Sequence, residues 1–334
     1  MIEQRPAWSV GLASALICAA LLIGTFVVAS APTPMPPAER WAALTTFTLL
    51  ALAMTVQGSI GIYDSLGRIV RRDLRPLAAL LGLLPALYAA YSLAVNEFSL
   101  RSLVIAAVFV SLPAVALLQV RSSRTPTLLD LVTVLYLILS LNLRLLPGLT
   151  LPQQGGLVGF FAFAATPMIA LLLAARGWPG LGFTWFLSGR DLRATLLVVA
   201  ALALPVLALA FGLGLARSPT SVTGAGTLFE QAIFGYFFSA LPVEMLYRGV
   251  LQNALERLLR DRSLAPVLAG RLAIGLVALL SGLAHFNDGV QGWPQALLAT
   301  LIAVGAGYVY QRTGKVTASA IVPALLLWLV GVFR

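Results

Sequence analysis

Long apolar runs separated by short polar loops dominate this sequence of 334 residues. Each run has about 20 residues, which is the length of α-helix needed to cross the hydrocarbon core of a bilayer. Helices are the expected spanning structure because lipid offers no partner for unpaired backbone groups, and the alternation of a membrane barrel is not seen. The runs lie at about 10–29, 41–63, 76–95, 103–120, 128–146, 156–175, 194–214, 229–256, 267–286, 293–310 and 316–333. The sequence therefore predicts an all-α fold, a polytopic transmembrane bundle of about 10–11 spans.

Charge is scarce and lies between the apolar runs. Charged residues make up 10% of the chain and hydrophobic residues 60%, whereas soluble domains have about 25% charged residues. The net charge of +10 raises the question of a nucleic-acid partner. The basic residues sit in short loops, however, as topology determinants do. We therefore expect the lipid bilayer as partner, no nucleic acid, and an N-terminus on the inside, where the loop with Arg68, Arg71, Arg72 and Arg75 would also lie.

The chain divides into three predicted parts. Residues 1–175 hold about six spans with few polar side chains, and residues 194–334 hold the remainder. Between them, residues 176–193 carry Trp178, Phe183 and Trp185 beside charged residues, which is typical of a connector at headgroup level. The small residues at 29–31 resemble a signal-peptide cleavage site, but the run before them is long for a leader, so we expect the first span to be retained.

Glu244 is the first candidate for chemistry, since it lies in the middle of the run at 229–256. A carboxylate at that depth costs at least ~2.5 kcal/mol. Arg248 follows four residues later on the same helix face and is expected to pair with it. The pair is either a structural ion pair or part of a buried active site, and the sequence leaves both interpretations open.

His285 is the second candidate and the only histidine in the chain. It lies near the end of the run at 267–286, and Asn287 and Asp288 follow it. It is either a hydrogen-bonding residue at the membrane face or a metal ligand or proton carrier. Gly282, one turn earlier, should allow close approach of a neighbouring helix.

Taken in order, these segments resemble the CAAX-protease and bacteriocin-processing (CPBP, or Abi) family of intramembrane proteases over about residues 185–334. The family pattern is a Glu-Glu-x-x-x-Arg run, then Phe-x-x-x-His, then His-x-x-x-Asn or Asp. Residues 243–248 fall on the first run, 281–287 on the second, and 307–320 on the approach to the third. The resemblance implies a bacterial cytoplasmic membrane location, endopeptidase chemistry, and Glu244, Arg248 and His285 as catalytic candidates, with Asn287 and Asp288 supporting.

Three positions depart from the family pattern. The first glutamate falls on Val243, the final histidine on Pro323, and the final asparagine or aspartate on Leu327. None of these side chains binds metal or carries a proton. A divalent metal such as zinc is the cofactor option, with His285 as its ligand, but a catalytic zinc takes three protein ligands and the chain has one histidine and one cysteine. The resemblance thus predicts a protease fold with an impaired site.

Three functions remain open at this stage. One is an intramembrane endopeptidase that uses the reduced site on a membrane protein or peptide substrate. Another is a non-catalytic scaffold or partner-binding protein, of the kind that confers immunity to a peptide. A transporter is the third, although the paired repeats and broken helices common in transporters are not evident.

Overall fold

The structure is a computed structural model that describes residues 8–31, 33–120, 127–142, 149–153, 156–178, 181–217, 224–286 and 292–333. These residues fall into two compact units. The first lies within Met1–Pro179 and Phe183–Phe186, and the second within Gly180–Gly182 and Leu187–Arg334. The predicted division into 1–175, 176–193 and 194–334 remains a prediction.

The N-terminal unit is helical apart from one short hairpin. Its helices are α1 (Trp8–Ser30), α2 (Pro37–Gln57), α3 (Ile60–Arg72), α4 (Leu74–Ala94), α5 (Leu100–Gln119), α6 (Leu128–Asn142) and α7 (Phe160–Arg176). The hairpin pairs strands β1 (Thr150–Gln153) and β2 (Gly156–Gly159) in antiparallel register, with Thr150 opposite Gly159. The predicted run at 156–175 therefore begins as a strand, because its first residues are rich in glycine, which disfavours a helix.

Local sequence sets where these helices begin and turn. Helix α4 begins after Asp73, whose carboxylate accepts a hydrogen bond from the Arg75 backbone N–H at 2.9 Å, as an N-cap should. Helices α2 and α3 meet at a bend of 95°. At this bend the Trp185 indole N–H donates to the carbonyl of Thr55 at 2.6 Å, and Trp178 and Phe183 are also buried. Their position at headgroup level remains a prediction.

The C-terminal unit contains the segment that resembles the protease family. It consists of α8 (Gly189–Gly212), α9 (Ala225–Phe234), a first π-helical segment (Gly235–Ala240), α10 (Leu241–Glu244), a second π-helical segment (Met245–Gln252), α11 (Asn253–Asp261), α12 (Pro266–Leu283), α13 (Gly292–Thr313) and α14 (Val316–Gly331). Residues 225–261 thus form one unbroken helical run that contains two π-helical segments.

The helices carry the hydrophobic surface of a membrane protein. Within the described ranges, six helices are long and apolar enough to cross a bilayer, or seven if the bent pair α2–α3 counts as one span. Three shorter apolar helices lie at 128–140, 163–176 and 316–331, so a total of 10–11 spans remains a prediction. Large apolar side chains such as Val28 and Leu204 are more than 70% exposed, which is typical of helices that face lipid rather than water.

Small residues bring the helices of the C-terminal unit together. A Cβ atom on Gly282 of α12 would lie 2.6 Å from the Ala296 carbonyl oxygen of α13, and closer still to the Thr300 hydroxyl. The expectation that Gly282 permits close helix approach is therefore confirmed. An ion pair between Lys315 and Asp191, 2.8 Å long, ties the turn before α14 to the first turn of α8.

Candidate functional site

The helical run at 225–261 changes its winding around Pro242. Proline has no N–H to donate and its ring collides with the carbonyl four residues earlier. The first π-helical segment ends at Ala240, just before this point, and a wider turn relieves that collision. Segments of π-helix occur mostly as single turns and often at functional sites. Here they lie on both sides of Glu244.

Glu244 is buried, with 3% of its surface exposed. Its carboxylate oxygen Oε2 accepts a hydrogen bond from Arg248 Nε at 3.1 Å and a second, short one from the Ser319 hydroxyl of α14. The Ser319 oxygen also lies 3.0 Å from the carbonyl oxygen of Ala306 in α13. The carboxylate thus joins three helices of the C-terminal unit, and the expected pairing with Arg248 is present.

Arg248 is completely buried and is the largest fully buried side chain of the described residues. Its Nε donates a hydrogen bond to Glu244, but Nη1 and Nη2 have no hydrogen-bond partner among the described residues. One turn further, Gln252 is also fully buried and donates from Nε2 to the Gly307 carbonyl at 3.1 Å. Glu244, Arg248 and Gln252 therefore form a polar stripe along one helix face.

The arrangement limits what Glu244 can do chemically. A general base must hold a carboxylate oxygen within reach of a water and accept its proton. Oε2 already accepts hydrogen bonds from a guanidinium and a hydroxyl, and both contacts hold the carboxylate in place. The buried pair is therefore suited to fixing helix positions, because breaking it would leave an uncompensated charge in a low-dielectric interior.

His285 lies just beyond the end of α12 and is half-buried. Its backbone N–H donates to the Gly282 carbonyl at 2.9 Å. Gln252 Oε1 and Ile274 both lie about 3 Å from the point where a Cβ on Gly307 would stand, so the second π-helical segment, α12 and α13 meet at this point.

Convergence of His285 with Glu244 remains a prediction. The described partners of the Glu244 carboxylate are Arg248 and Ser319. Asn287 and Asp288, the predicted supporting residues, lie outside the described residues. Their relation to His285 remains a prediction.

The positions that depart from the family pattern lie on two helices of this unit. Val243 precedes Glu244 and is half-buried. Pro323 is half-buried one turn beyond Ser319 on α14, and Leu327, another turn on, is 46% exposed. The apolar Leu327 thus faces outward.

A metal ligand set is absent from the part of the chain that the structure describes. No three side chains of His, Cys, Asp or Glu come together there. A catalytic zinc takes three protein ligands and keeps a fourth position for water. The described residues around Glu244 offer a carboxylate, a guanidinium, an amide and a hydroxyl, and this set does not fit zinc.

Sequence reasoning missed several buried polar residues. Ser319 received no role, although a serine in a span of apolar residues is a signal of interhelical bonding. Glu230 in α9 is 5% exposed, so Glu244 is not the only buried carboxylate of this helical run. In the N-terminal unit, expected to hold little polar chemistry, Arg176 forms a buried two-pronged ion pair with Asp130 at 2.7 and 3.0 Å.

Comparison with protein-family models gives a match in the C-terminal unit. The family model for type II CAAX prenyl endopeptidase Rce1-like proteins matches residues 225–328. Neither a curated protein nor a solved structure matches the chain. The matched segment begins at the first residue of α9 and contains Glu244, Arg248, His285 and Ser319. Residues 225–328 are therefore an Rce1-like domain, consistent with the CPBP family, within a chain whose apolar helices are those of an integral membrane protein.

Proposed function

We propose that this chain is an Rce1-like membrane protein whose peptidase site is impaired, and that it acts as a non-catalytic scaffold for a membrane-embedded peptide or protein partner. The supporting observation is that Glu244 Oε2 accepts hydrogen bonds from both Arg248 and Ser319. Val243, Pro323 and Leu327, in place of polar residues, remove the groups that the family pattern would supply.

The same domain supports a second candidate, residual endopeptidase activity. The observation that favours it is the retention of Glu244, Arg248 and His285, three polar residues of the family pattern, within the matched segment. In this case His285 would have to provide proton transfer, since the described partners of Glu244 hold that carboxylate in place.

One experiment separates the two candidates. The purified full chain in detergent is incubated with prenylated and membrane-embedded peptides, beside the variant His285→Ala. The scaffold proposal expects no cleavage above the level of His285→Ala, together with co-purification of a bound peptide or protein. Cleavage by the wild type that His285→Ala abolishes would establish the endopeptidase instead.

We also propose the cytoplasmic membrane of a bacterium as the location, with the N-terminus inside and the bilayer, rather than nucleic acid, as the surrounding partner. Arg68, Arg72 and Arg75 are exposed where α3 meets α4, and basic loops favour the inside. Cysteine-accessibility labelling in sealed vesicles, with a cysteine at position 72 in a Cys18→Ala background, should give protection from an impermeant reagent added outside. Labelling without permeabilisation would reverse the orientation.

A further inference from the structure

We propose that the buried guanidinium of Arg248 and the side-chain amide of Gln252 hold an internal water between them. This site is separate from the contacts of Glu244 with Ser319. It does not depend on whether the chain is a scaffold or a peptidase, because it follows from hydrogen-bonding groups that lie within the C-terminal unit.

The first observation is a set of unused hydrogen-bonding atoms. Nη1 and Nη2 of Arg248 and Oε1 of Gln252 are buried and have no partner among the described residues. Both side chains are 0% exposed. An unsatisfied buried polar group costs about 1–3 kcal/mol, and more when it is charged. Buried polar groups without a protein partner are the groups that internal waters usually bind.

The second observation is that donors and an acceptor lie on one helix face. Arg248 and Gln252 are four residues apart, so their side chains are neighbours. A guanidinium supplies only donors, whereas the amide oxygen of Gln252 is an acceptor. The Gln252 amide nitrogen is fixed by its bond to the Gly307 carbonyl, which leaves Oε1 to receive a donor. One water can accept from Arg248 and donate to Gln252.

Charge decides against an anion as the ligand. Arg248 is already paired with Glu244 at 3.1 Å, so the pair is neutral. A second carboxylate or a phosphate would add a net negative charge to a buried site, and burying an unbalanced charge is costly. The ligand expected here is therefore neutral and carries both an acceptor and a donor.

Enclosure decides in favour of a small ligand. Because neither side chain has exposed surface, an amide of another chain would have to displace the packed helices to reach Nη1 or Nη2. The walls also fit closely, since a Cβ on Gly307 would lie 2.9 Å from Gln252 Oε1 and 3.1 Å from Ile274. Water meets the hydrogen-bonding need with the least volume.

The test is an experimental density map of the full chain in nanodiscs at a resolution that shows ordered water. The expected result is a single spherical peak within hydrogen-bonding distance of an Arg248 Nη atom and of Gln252 Oε1. The variant Gln252→Met, similar in size but without an acceptor, should lose this peak while the bond between Arg248 and Glu244 remains. Gln231→Met, at an exposed glutamine of α9, is the matched control and should keep it.

Three results would overturn the proposal. One is a wild-type map in which protein atoms bind both Nη atoms and no peak is present. Another is an elongated density that belongs to a lipid or peptide, and the third is a peak that persists unchanged in Gln252→Met. Because the wild-type map alone decides the first two, the proposal stays testable if the variant fails to fold.

Discussion

Ser319 donates its hydroxyl to the carboxylate of Glu244 and thereby connects α14 to the helix that carries the Glu244–Arg248 pair. Both residues are almost completely buried. The contact bridges 75 residues of sequence, so it ties together elements far apart in the chain. It also gives the carboxylate a second donor beside Arg248. The stability of the C-terminal unit should therefore depend on the contact between Ser319 and Glu244.

Replacing Ser319 by alanine should destabilise the C-terminal unit. Hydrogen bonds to charged groups contribute about 1.5–3 kcal/mol, and the loss leaves the Glu244 carboxylate with one donor fewer. Thermal unfolding in detergent should show a clearly lower midpoint for Ser319→Ala. The control is Ser239→Ala, at an exposed serine of the first π-helical segment, which should leave the midpoint nearly unchanged. Equal shifts for the two variants would contradict the role given to this contact.

The Glu244–Arg248 pair should behave as a structural pair in stability measurements. Removing one partner leaves a buried charge, so Arg248→Met alone should cost about 3–5 kcal/mol. Replacing both, as Glu244→Met with Arg248→Leu, should recover most of that loss, because an apolar pair of similar size has no desolvation penalty.

Residues Glu256 and Arg260 offer a matched control for that experiment. They have the same four-residue spacing, but the Arg260 side chain is 50% exposed, and exposed pairs contribute about 0–1 kcal/mol. Glu256→Gln should therefore change stability little. If the double variant at 244 and 248 were no more stable than Arg248→Met, the charges would have a role that packing cannot replace, and the scaffold proposal would lose its main support.

The sequence predicted the features that depend on local spacing. The apolar runs give the helices because about 20 residues match the bilayer, and the four-residue spacing placed Arg248 beside Glu244. Contacts between distant segments were not predictable in this way. Ser319 meets Glu244 only because α13 and α14 pack against the π-helical run, and no spacing rule reports that. Likewise, Asp130 and Arg176 are 46 residues apart, so their pairing depends on how α6 and α7 lie together.

The sequence patterns also did not predict the π-helical segments of the run at 225–261. The apolar run at 229–256 predicts a helix, yet two stretches of it are π-helical. Pro242 signals a local disturbance, but its effect on a helix depends on what packs around it. Val243 and Pro323 stand where the family pattern has polar residues. The loss of chemistry at these positions remains a prediction, because no described contact of either residue tests it.

Gly282 provides a further prediction that needs no assumption about catalysis. A Cβ at this position would meet the Ala296 carbonyl oxygen at 2.6 Å, so α12 and α13 would have to separate. Gly282→Ala should therefore destabilise the C-terminal unit by about 1–3 kcal/mol, as overpacking does.

Gly275 of the same helix has no atom within 4 Å of its Cβ position. Gly275→Ala should be neutral or stabilising by up to about 1 kcal/mol, since alanine favours helix. Unfolding midpoints of the two variants, measured in the same detergent, provide the comparison. A Gly282→Ala protein as stable as Gly275→Ala would mean that α12 and α13 do not pack at this closeness.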